Sequence, residues 1–376
     1  MRVLAHLLAL EPLGGVEQCV LEDTAALVAR GHRVAVAFGW DGSLRPTYEA
    51  LGSPLGGPFR FGIETRAPWR MVTSYAPAVR WARSLDVDLV WLNRFEHILW
   101  GHAVARAARR PLVVTLHEVP MLRFTRYVGR GVAHYTAVSD HVRDAWIAQG
   151  LPADRVTTIP NAVSGSAYPA SGRAERDAAR EELGLPRDVP VVLCYGRTIV
   201  EKGVLDLLQA WQVHRGRRLA AGLPVGVIVL LGDPDPTGDP RLREALAAVP
   251  AGEVRWLPAT RDVLPHLRAS DVVVFPSRLP EAFGRVVIEG MSTGRPVLAT
   301  RVGAVPELLT GGMEDLLVDA GDVEALGRRL SELVDWRTGD PRLGAACREW
   351  VERRYPYTDH VDRLEDVLQR AAHRTR

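Results

Sequence analysis

Short apolar runs alternate along the chain with stretches whose apolar positions recur at helical spacing. In the first half the runs Val3 to Leu10, Arg33 to Phe38, Leu89 to Leu92, Leu112 to Leu116, Tyr135 to Val138 and Val156 to Ile159 are predicted strands. Helical stretches lie between them, at Glu17 to Ala29, Thr73 to Ser84, Ile98 to Ala108 and His141 to Gln149. Pro160 to Gly172, rich in Ser, Gly, Pro and Ala, reads as a linker. The alternation then restarts, with strands predicted at Val191 to Tyr195, Gly226 to Leu231, Glu253 to Leu257, Val272 to Phe275, Pro296 to Ala299 and Leu316 to Val318. Helices fit among these at Leu205 to His214, Asp262 to Arg268 and Arg285 to Ser292, and Asp359 to Ala372 adds a final helical pattern. Such alternation predicts parallel α/β structure. A chain of 376 residues exceeds one ordinary core, so two domains are expected. The predicted division is 1–165, 166–355, and a C-terminal helix in 356–376 that packs back on the first domain. Ligands of such sheets bind beyond the carboxyl ends of the strands, here in a cleft between two similar α/β units.

Composition narrows the function. Hydrophobic content of 47% and charged content of 24% are those of a soluble globular protein. The net charge of +2 comes with arginine scattered along the chain, so a nucleic-acid surface is not expected. Cys19, Cys194 and Cys347 are odd in number and far apart, as in core fillers of a reducing cytoplasm rather than a disulfide frame or zinc site. The apolar start, Met1 to Leu8, is short and runs into Glu11 and Pro12; it reads as a buried first strand rather than a signal peptide. No run reaches the ~18 apolar residues of a membrane span, while peripheral membrane contact stays open. Four of the ten tryptophans, Trp69, Trp81, Trp91 and Trp100, crowd one stretch, and core packing is the reading for most.

One basic residue stands apart. Lys202 is the sole lysine among 47 basic side chains, the remainder being arginine, and Asn93 and Asn161 are the only asparagines. That bias is expected of a GC-rich genome, which makes the surviving lysine informative. A compact ammonium on a thin stem is not replaced by a flat guanidinium. Lys202 lies in Gly196-Arg197-Thr198-Ile199-Val200-Glu201-Lys202-Gly203, between a predicted strand and a helix, where two cations and two glycines suit a phosphate.

The strongest constellation runs from Asp271 to Met291. A predicted buried strand ends at Pro276, Glu281 follows in the loop, Phe283 and Gly284 open a helix, and Glu289 lies further along it. Backbone amides at a helix start, with the helix dipole, suit a phosphate or sugar oxygen. A carboxylate accepts hydrogen bonds from a diol, so one glutamate suits sugar hydroxyls and the other a ribose. Together with Gly294-Arg295-Pro296-Val297-Leu298-Ala299-Thr300, this stretch resembles the donor-site signature of glycosyltransferase family 4, whose members have the GT-B fold. The resemblance extends to Gly14-Gly15-Val16-Glu17, Ile159-Pro160-Asn161-Ala162-Val163, Gly196-Arg197 with Lys202-Gly203, and Gly303-Ala304-Val305-Pro306-Glu307, in the family's order along the chain.

The resemblance implies two Rossmann-like domains facing each other across a cleft and a nucleotide-diphosphosugar donor, a UDP-sugar being favoured, held mostly by the second domain. It implies that Arg197 and Lys202 neutralise the diphosphate, Glu281 holds sugar hydroxyls, Phe283 and Gly284 offer amides, and Glu289 holds the ribose. Gly14 and Gly15 approach the phosphate from the first domain. His117, at the carboxyl end of its strand, lies close to the transferred sugar. Asn93, at the end of another strand, and Glu96 are candidate acceptor contacts, and residues 40–75 with the tryptophan-rich stretch are expected to shape the acceptor pocket. Ser139 reads as a helix N-cap, with Arg143 a further phosphate contact. No cofactor or metal is implied: Asp233-Pro234-Asp235 with Gly238 reads as a turn, His117-Glu118 lacks the second histidine of a zinc motif, and His97 and His102 read as helix-surface or packing residues.

The chain departs from the family pattern at Pro258, Arg285 and Ala162, which bear on base seating and donor choice rather than on the charged residues. The reading is a metal-independent retaining glycosyltransferase acting on a hydroxylated small-molecule natural product or a cell-envelope glycan or lipid. A sugar-nucleotide epimerase of the same fold and a non-catalytic sugar-binding subunit stay open beside it.

Overall fold

Val, Leu and Ala fill the strand segments at consecutive positions, so each strand has two apolar faces to cover, and helices on both sides of a parallel sheet do so. The computed structural model describes residues 1–62, 69–121, 125–232 and 239–373. The turn expected at Asp233-Pro234-Asp235 with Gly238, and the side chain of Trp69, lie outside the described residues.

The chain forms two compact units, Met1–Asn161 with Thr358–Arg376, and Ala162–Tyr357. The first holds β1 (Arg2–Ala9), β2 (Arg33–Trp40), β3 (Leu55–Gly56), β4 (Leu89–Leu92), β5 (Leu112–Leu116), β6 (His134–Ala137) and β7 (Val156–Thr158). They pair in parallel in the order β3-β2-β1-β4-β5-β6-β7. The second holds β8 (Val191–Tyr195), β9 (Val227–Leu231), β10 (Val254–Leu257), β11 (Val272–Phe275), β12 (Val297–Thr300) and β13 (Leu317–Val318), parallel in the order β10-β9-β8-β11-β12-β13. In each sheet the direction of winding reverses once, between β1 and β4 and between β8 and β11. The connections leaving those strands diverge to opposite faces and open a crevice at their carboxyl ends.

The predicted strands stand within a residue or two of their expected bounds, and β3 is the one with no forecast. It has two residues and no room for a pattern; its Gly56 lies under the Trp81 ring, where a Cβ would come within 2.5 Å of ring atoms. The helix Tyr357–His373 packs on the first unit as expected: Leu364, Val367, Leu368 and Ala371 join a core with Val3, Leu27, Val34 and Trp91. His360 of that helix bonds the Pro160 carbonyl and Asp23 Oδ1, both at 2.8 Å. Pro160 to Gly172 carries no helix or strand, yet Asn161, Ala162 and Val163 are buried, so this segment is packed rather than a loose tether.

Arginine does more here than supply exposed charge. Arg180 and Arg295 are fully buried near the amino ends of β11 and β12. Arg180 donates to Asp271 Oδ2 at 2.6 Å and to the carbonyls of Ala269, Arg187 and Val189. Arg295 donates to the carbonyls of Ser171, Thr293 and Arg268. A planar five-donor fork satisfies several carbonyls that would otherwise be buried unpaired. Trp91, Trp100 and Trp211 are core residues as expected, Trp40 is exposed, and the three cysteines are buried.

Candidate active site

In the second unit the crevice between β8 and β11 gathers the donor-site candidates. The loop after β8 ends in a single tight turn, Val200–Lys202, followed by Gly203 in the left-handed region at φ +78°. A Cβ at Gly203 would lie 1.8 Å from the Pro276 carbonyl oxygen, so only glycine lets this loop lie against the segment leaving β11. The Arg278 amide donates to the Glu201 carbonyl at 3.0 Å and fastens the same two loops. A third loop fixes Glu281: the Ala304 amide donates to its carbonyl at 2.8 Å, and a Cβ at Gly303 would lie 2.2 Å from that oxygen.

The result is a direct ion pair. Lys202 Nζ donates to Glu281 Oε1 at 2.6 Å, with side chains 19% and 13% exposed. The sequence reading gave these residues separate tasks, and nothing in their spacing of 79 positions signalled the contact. Arg197 is exposed and makes no ion pair among the described residues. Phe283 is buried and meets Tyr355 edge-on at 5.8 Å; Gly284 is the N-cap of the helix Arg285–Ser292, with no side-chain cap. Glu289 is buried on that helix with both oxygens engaged: Arg285 Nε donates to Oε1 at 2.9 Å and Tyr195 Oη to Oε2 at 2.7 Å. Burial and the neighbouring carboxylate raise the Tyr195 phenol well above its ordinary value. Tyr195 and the tie to Arg285 were missed from sequence. The signals were the four-residue spacing of Arg285 and Glu289 on one helix face, and a tyrosine closing β8.

In the first unit a cavity of about 220 Å³ lies at the carboxyl ends of β4 and β5. Asn93, Glu96 and His117 all line it, so the structure brings these candidates together. The lining also includes Arg94 and Trp146, and no described residue from 40–75. Trp91 and Trp100 are buried in the core, and the tryptophan at this cavity, Trp146, comes from the helix Asp140–Ala148. Asn93 Nδ2 donates to the His6 carbonyl at 3.1 Å, while its buried Oδ1 has no donor among the described residues. Glu96 is half-exposed and 3.4 Å from Arg94. Glu17, wholly buried in the first turn of the helix Gly15–Ala29, pairs with Arg94 at 2.8 Å. His117 Nε2 is sealed from solvent without a partner among the described residues, and burial pulls the ring down to about 4, so the imidazole is neutral near pH 7.

Gly14 and Gly15 are exposed at the start of that helix. Gly14 has extended backbone, and the nearest atom to an added Cβ is Glu17 Oε2 at 3.9 Å, so no contact within the protein demands a glycine there. Ser139 caps its helix, accepting from the Val142 amide at 3.1 Å, and Arg143 pairs with Asp140 and Asp144. His97 packs against buried His6 at 2.9 Å and His102 bonds the Val128 carbonyl at 2.8 Å. Among the described residues no group of three or more His, Cys, Asp or Glu is placed to hold a metal, and no helix is long and apolar enough to cross a membrane.

Two family models match the chain: Glycosyltransferase Family 4 over residues 13–165 and Glycosyl transferases group 1 over residues 189–335. The chain is similar to D-inositol 3-phosphate glycosyltransferase of Streptomyces scabiei, 33% identical over 66% of this chain and 51% of that protein, about half its length. It is 31% identical to alpha-maltose-1-phosphate synthase of Mycolicibacterium smegmatis, over 73% of this chain and 76% of the relative. The crystal structure of Anabaena HepE in complex with UDP and glucose superposes with a TM-score of 0.80 at 22% identity, covering 98% of this chain and 99% of that one. At that identity the likeness speaks for the fold, the GT-B type with two Rossmann-like units.

Proposed function

The chain belongs to glycosyltransferase family 4, and from that premise we propose that it moves a sugar from a nucleotide-diphosphate donor, a UDP-sugar first, to an acceptor hydroxyl with retention at the anomeric carbon. The observation that carries this is the Lys202–Glu281 pair at the β8/β11 crevice. An ammonium has three N–H donors and spends one on Glu281, leaving two for a diphosphate. Glu281 keeps Oε2 for sugar hydroxyls. Arg197, exposed and unpaired among the described residues, adds the second cation. Glu289, held in place by Tyr195 and Arg285, takes the nucleoside ribose, and the amides of Phe283 and Gly284 face sugar or phosphate oxygens.

In this reading the bond from the anomeric carbon to the diphosphate oxygen breaks as the acceptor oxygen enters on the same face, and the hydroxyl proton leaves with the diphosphate. No covalent intermediate with the protein forms. The largest demand is charge growing on the diphosphate, which Lys202 and Arg197 meet. The second unit holds the donor. The first unit holds the acceptor, with Asn93 and Glu96 as contacts and neutral His117 as a hydrogen-bonding partner for carbohydrate. The acceptor is a hydroxylated natural product or a cell-envelope glycan or lipid.

The test is a thermal-shift panel of UDP-, GDP-, ADP- and dTDP-sugars, followed by mass spectrometry with hydroxylated acceptors. Stabilisation by one donor and a mass gain of one sugar support the reading. Donor isomerised without acceptor makes the protein an epimerase. Donor bound without turnover in any mixture makes it a binding subunit.

A further inference from the structure

We propose that the cavity of the first unit takes one hydroxylated ring of the acceptor that bears no phosphate or carboxylate. This rests on the glycosyltransferase reading and narrows its acceptor. Three features of the cavity carry it.

The first is an acceptor atom with nothing to accept. Asn93 is 1% exposed, and its Nδ2 bond to the His6 carbonyl fixes which way the amide faces. Oδ1 is therefore a buried acceptor lacking a donor at the cavity wall. A hydroxyl donates to it; a phosphate or carboxylate oxygen only accepts, and would set two acceptors face to face in a site from which water is displaced.

The second is charge. Arg94 is the one cationic side chain lining the cavity among the described residues, and its charge is already paired with Glu17 at 2.8 Å and Glu96 at 3.4 Å, Nε alone keeping no acceptor among those residues. Glu96 and Glu118 also line the cavity, so one cation stands against two carboxylates, with buried Glu17 behind it. His117, neutral near pH 7, adds no positive charge. An anionic ring would meet repulsion with no free cation to offset it.

The third is shape. Trp146 is locked by its Nε1 bond to the Glu118 carbonyl at 2.7 Å and by Phe95 at 4.3 Å, forming a rigid aromatic wall for the C–H face of a ring. The volume of about 220 Å³ is below that of sites for drug-sized ligands, and suits a single ring.

The test measures binding by calorimetry to three matched pairs: myo-inositol with inositol 1-phosphate, glucose with glucose 6-phosphate, and glucosamine with glucosamine 6-phosphate. At least one unphosphorylated ring is expected to bind ~10-fold or more tighter than its phosphate, and Asn93→Leu to weaken it by ~10-fold or more. Glu17→Gln, which frees Arg94, is expected to shift the preference toward the phosphate, and it keeps the proposal open to refutation if Asn93→Leu fails to fold. In the pair whose ring binds best, a phosphate ester binding as tightly as its parent overturns the proposal, as does no ring binding at all or a folded Asn93→Leu variant with unchanged affinity. Thermal shift with UDP-glucose on the same samples separates the two levels: donor binding alongside any of those results sinks the acceptor assignment and leaves the glycosyltransferase reading standing.

Discussion

Lys202 and Glu281, 79 positions apart, meet at 2.6 Å at the carboxyl ends of neighbouring strands. The contact makes them one unit: each fixes the other where a diphosphate and its sugar would lie together. Lys202→Ala and Glu281→Ala are each expected to lower turnover by ~10²–10³-fold, and the double variant by little more than the worse single. Steady-state kinetics on all three check this; a multiplicative loss in the double variant would show independent roles.

Gly203 is what permits that meeting. Gly203→Ala combines a left-handed backbone with a Cβ 1.8 Å from the Pro276 carbonyl, so the loop must shift. We expect a loss of roughly 1–3 kcal/mol or more, with activity falling as Lys202 leaves Glu281. Gly222→Ala shares the backbone strain at φ +67° but meets nothing within 4 Å, and is expected to cost only about 1 kcal/mol and leave activity intact. Denaturant melts of the two variants side by side decide the matter.

His360 reads as an imidazolium, because two acceptors, the Pro160 carbonyl and Asp23 Oδ1, face its two ring nitrogens. Burial opposes the charge, but Asp23, its hydrogen bonds and nearby Glu22 win, and the group is raised above 6.5. A raised histidine stabilises fully below its unfolded pKa and loses that contribution as pH climbs through its folded value. The difference in melting temperature between the native protein and His360→Gln should therefore be largest near pH 6 and shrink above neutrality. A gap that stays flat from pH 6 to 9 would rule out the charged form.

His117 has the opposite sign. Pulled down to about 4 by burial, it stays neutral where a free histidine would charge, so protonation opposes the folded state as pH falls from 6.5 toward 4. Its ring resonances in an NMR titration should hold still until below pH 5. A midpoint near 6.5 would contradict the sealed position of Nε2.

Arg295→Ala is expected to destabilise the second unit by about 3–5 kcal/mol, since several buried carbonyls lose their donor at once. Calorimetry measures the loss. Arg295→Lys should recover only part of it, an ammonium being unable to reach the same spread of carbonyls.

The strands and the helices named above were legible because both sheets are built from covered parallel strands, whose unbroken apolar runs differ from the helical spacing around them; the order of the strands within each sheet was not. Glu281, Glu289, Lys202 and Arg197 stood out as candidates because they lie in the glycine-containing segments that follow two strand ends. Side-chain pairing was not. Whether Lys202 faces a ligand or Glu281 depends on how Gly203 lies on Pro276, a contact between distant loops that local pattern does not encode. The buried arginines carried no signal for a related reason: the carbonyls that Arg180 and Arg295 satisfy belong to irregular segments with no sequence signature.

The closing helix, Tyr357–His373, supplies Leu364, Val367, Leu368 and Ala371 to the core of a unit whose other residues lie before position 162. On a ribosome the second unit, continuous from 162 to 357, emerges whole while the first still lacks part of its interior. Premature termination immediately ahead of that helix would therefore damage the earlier-made half of the protein and spare the later one.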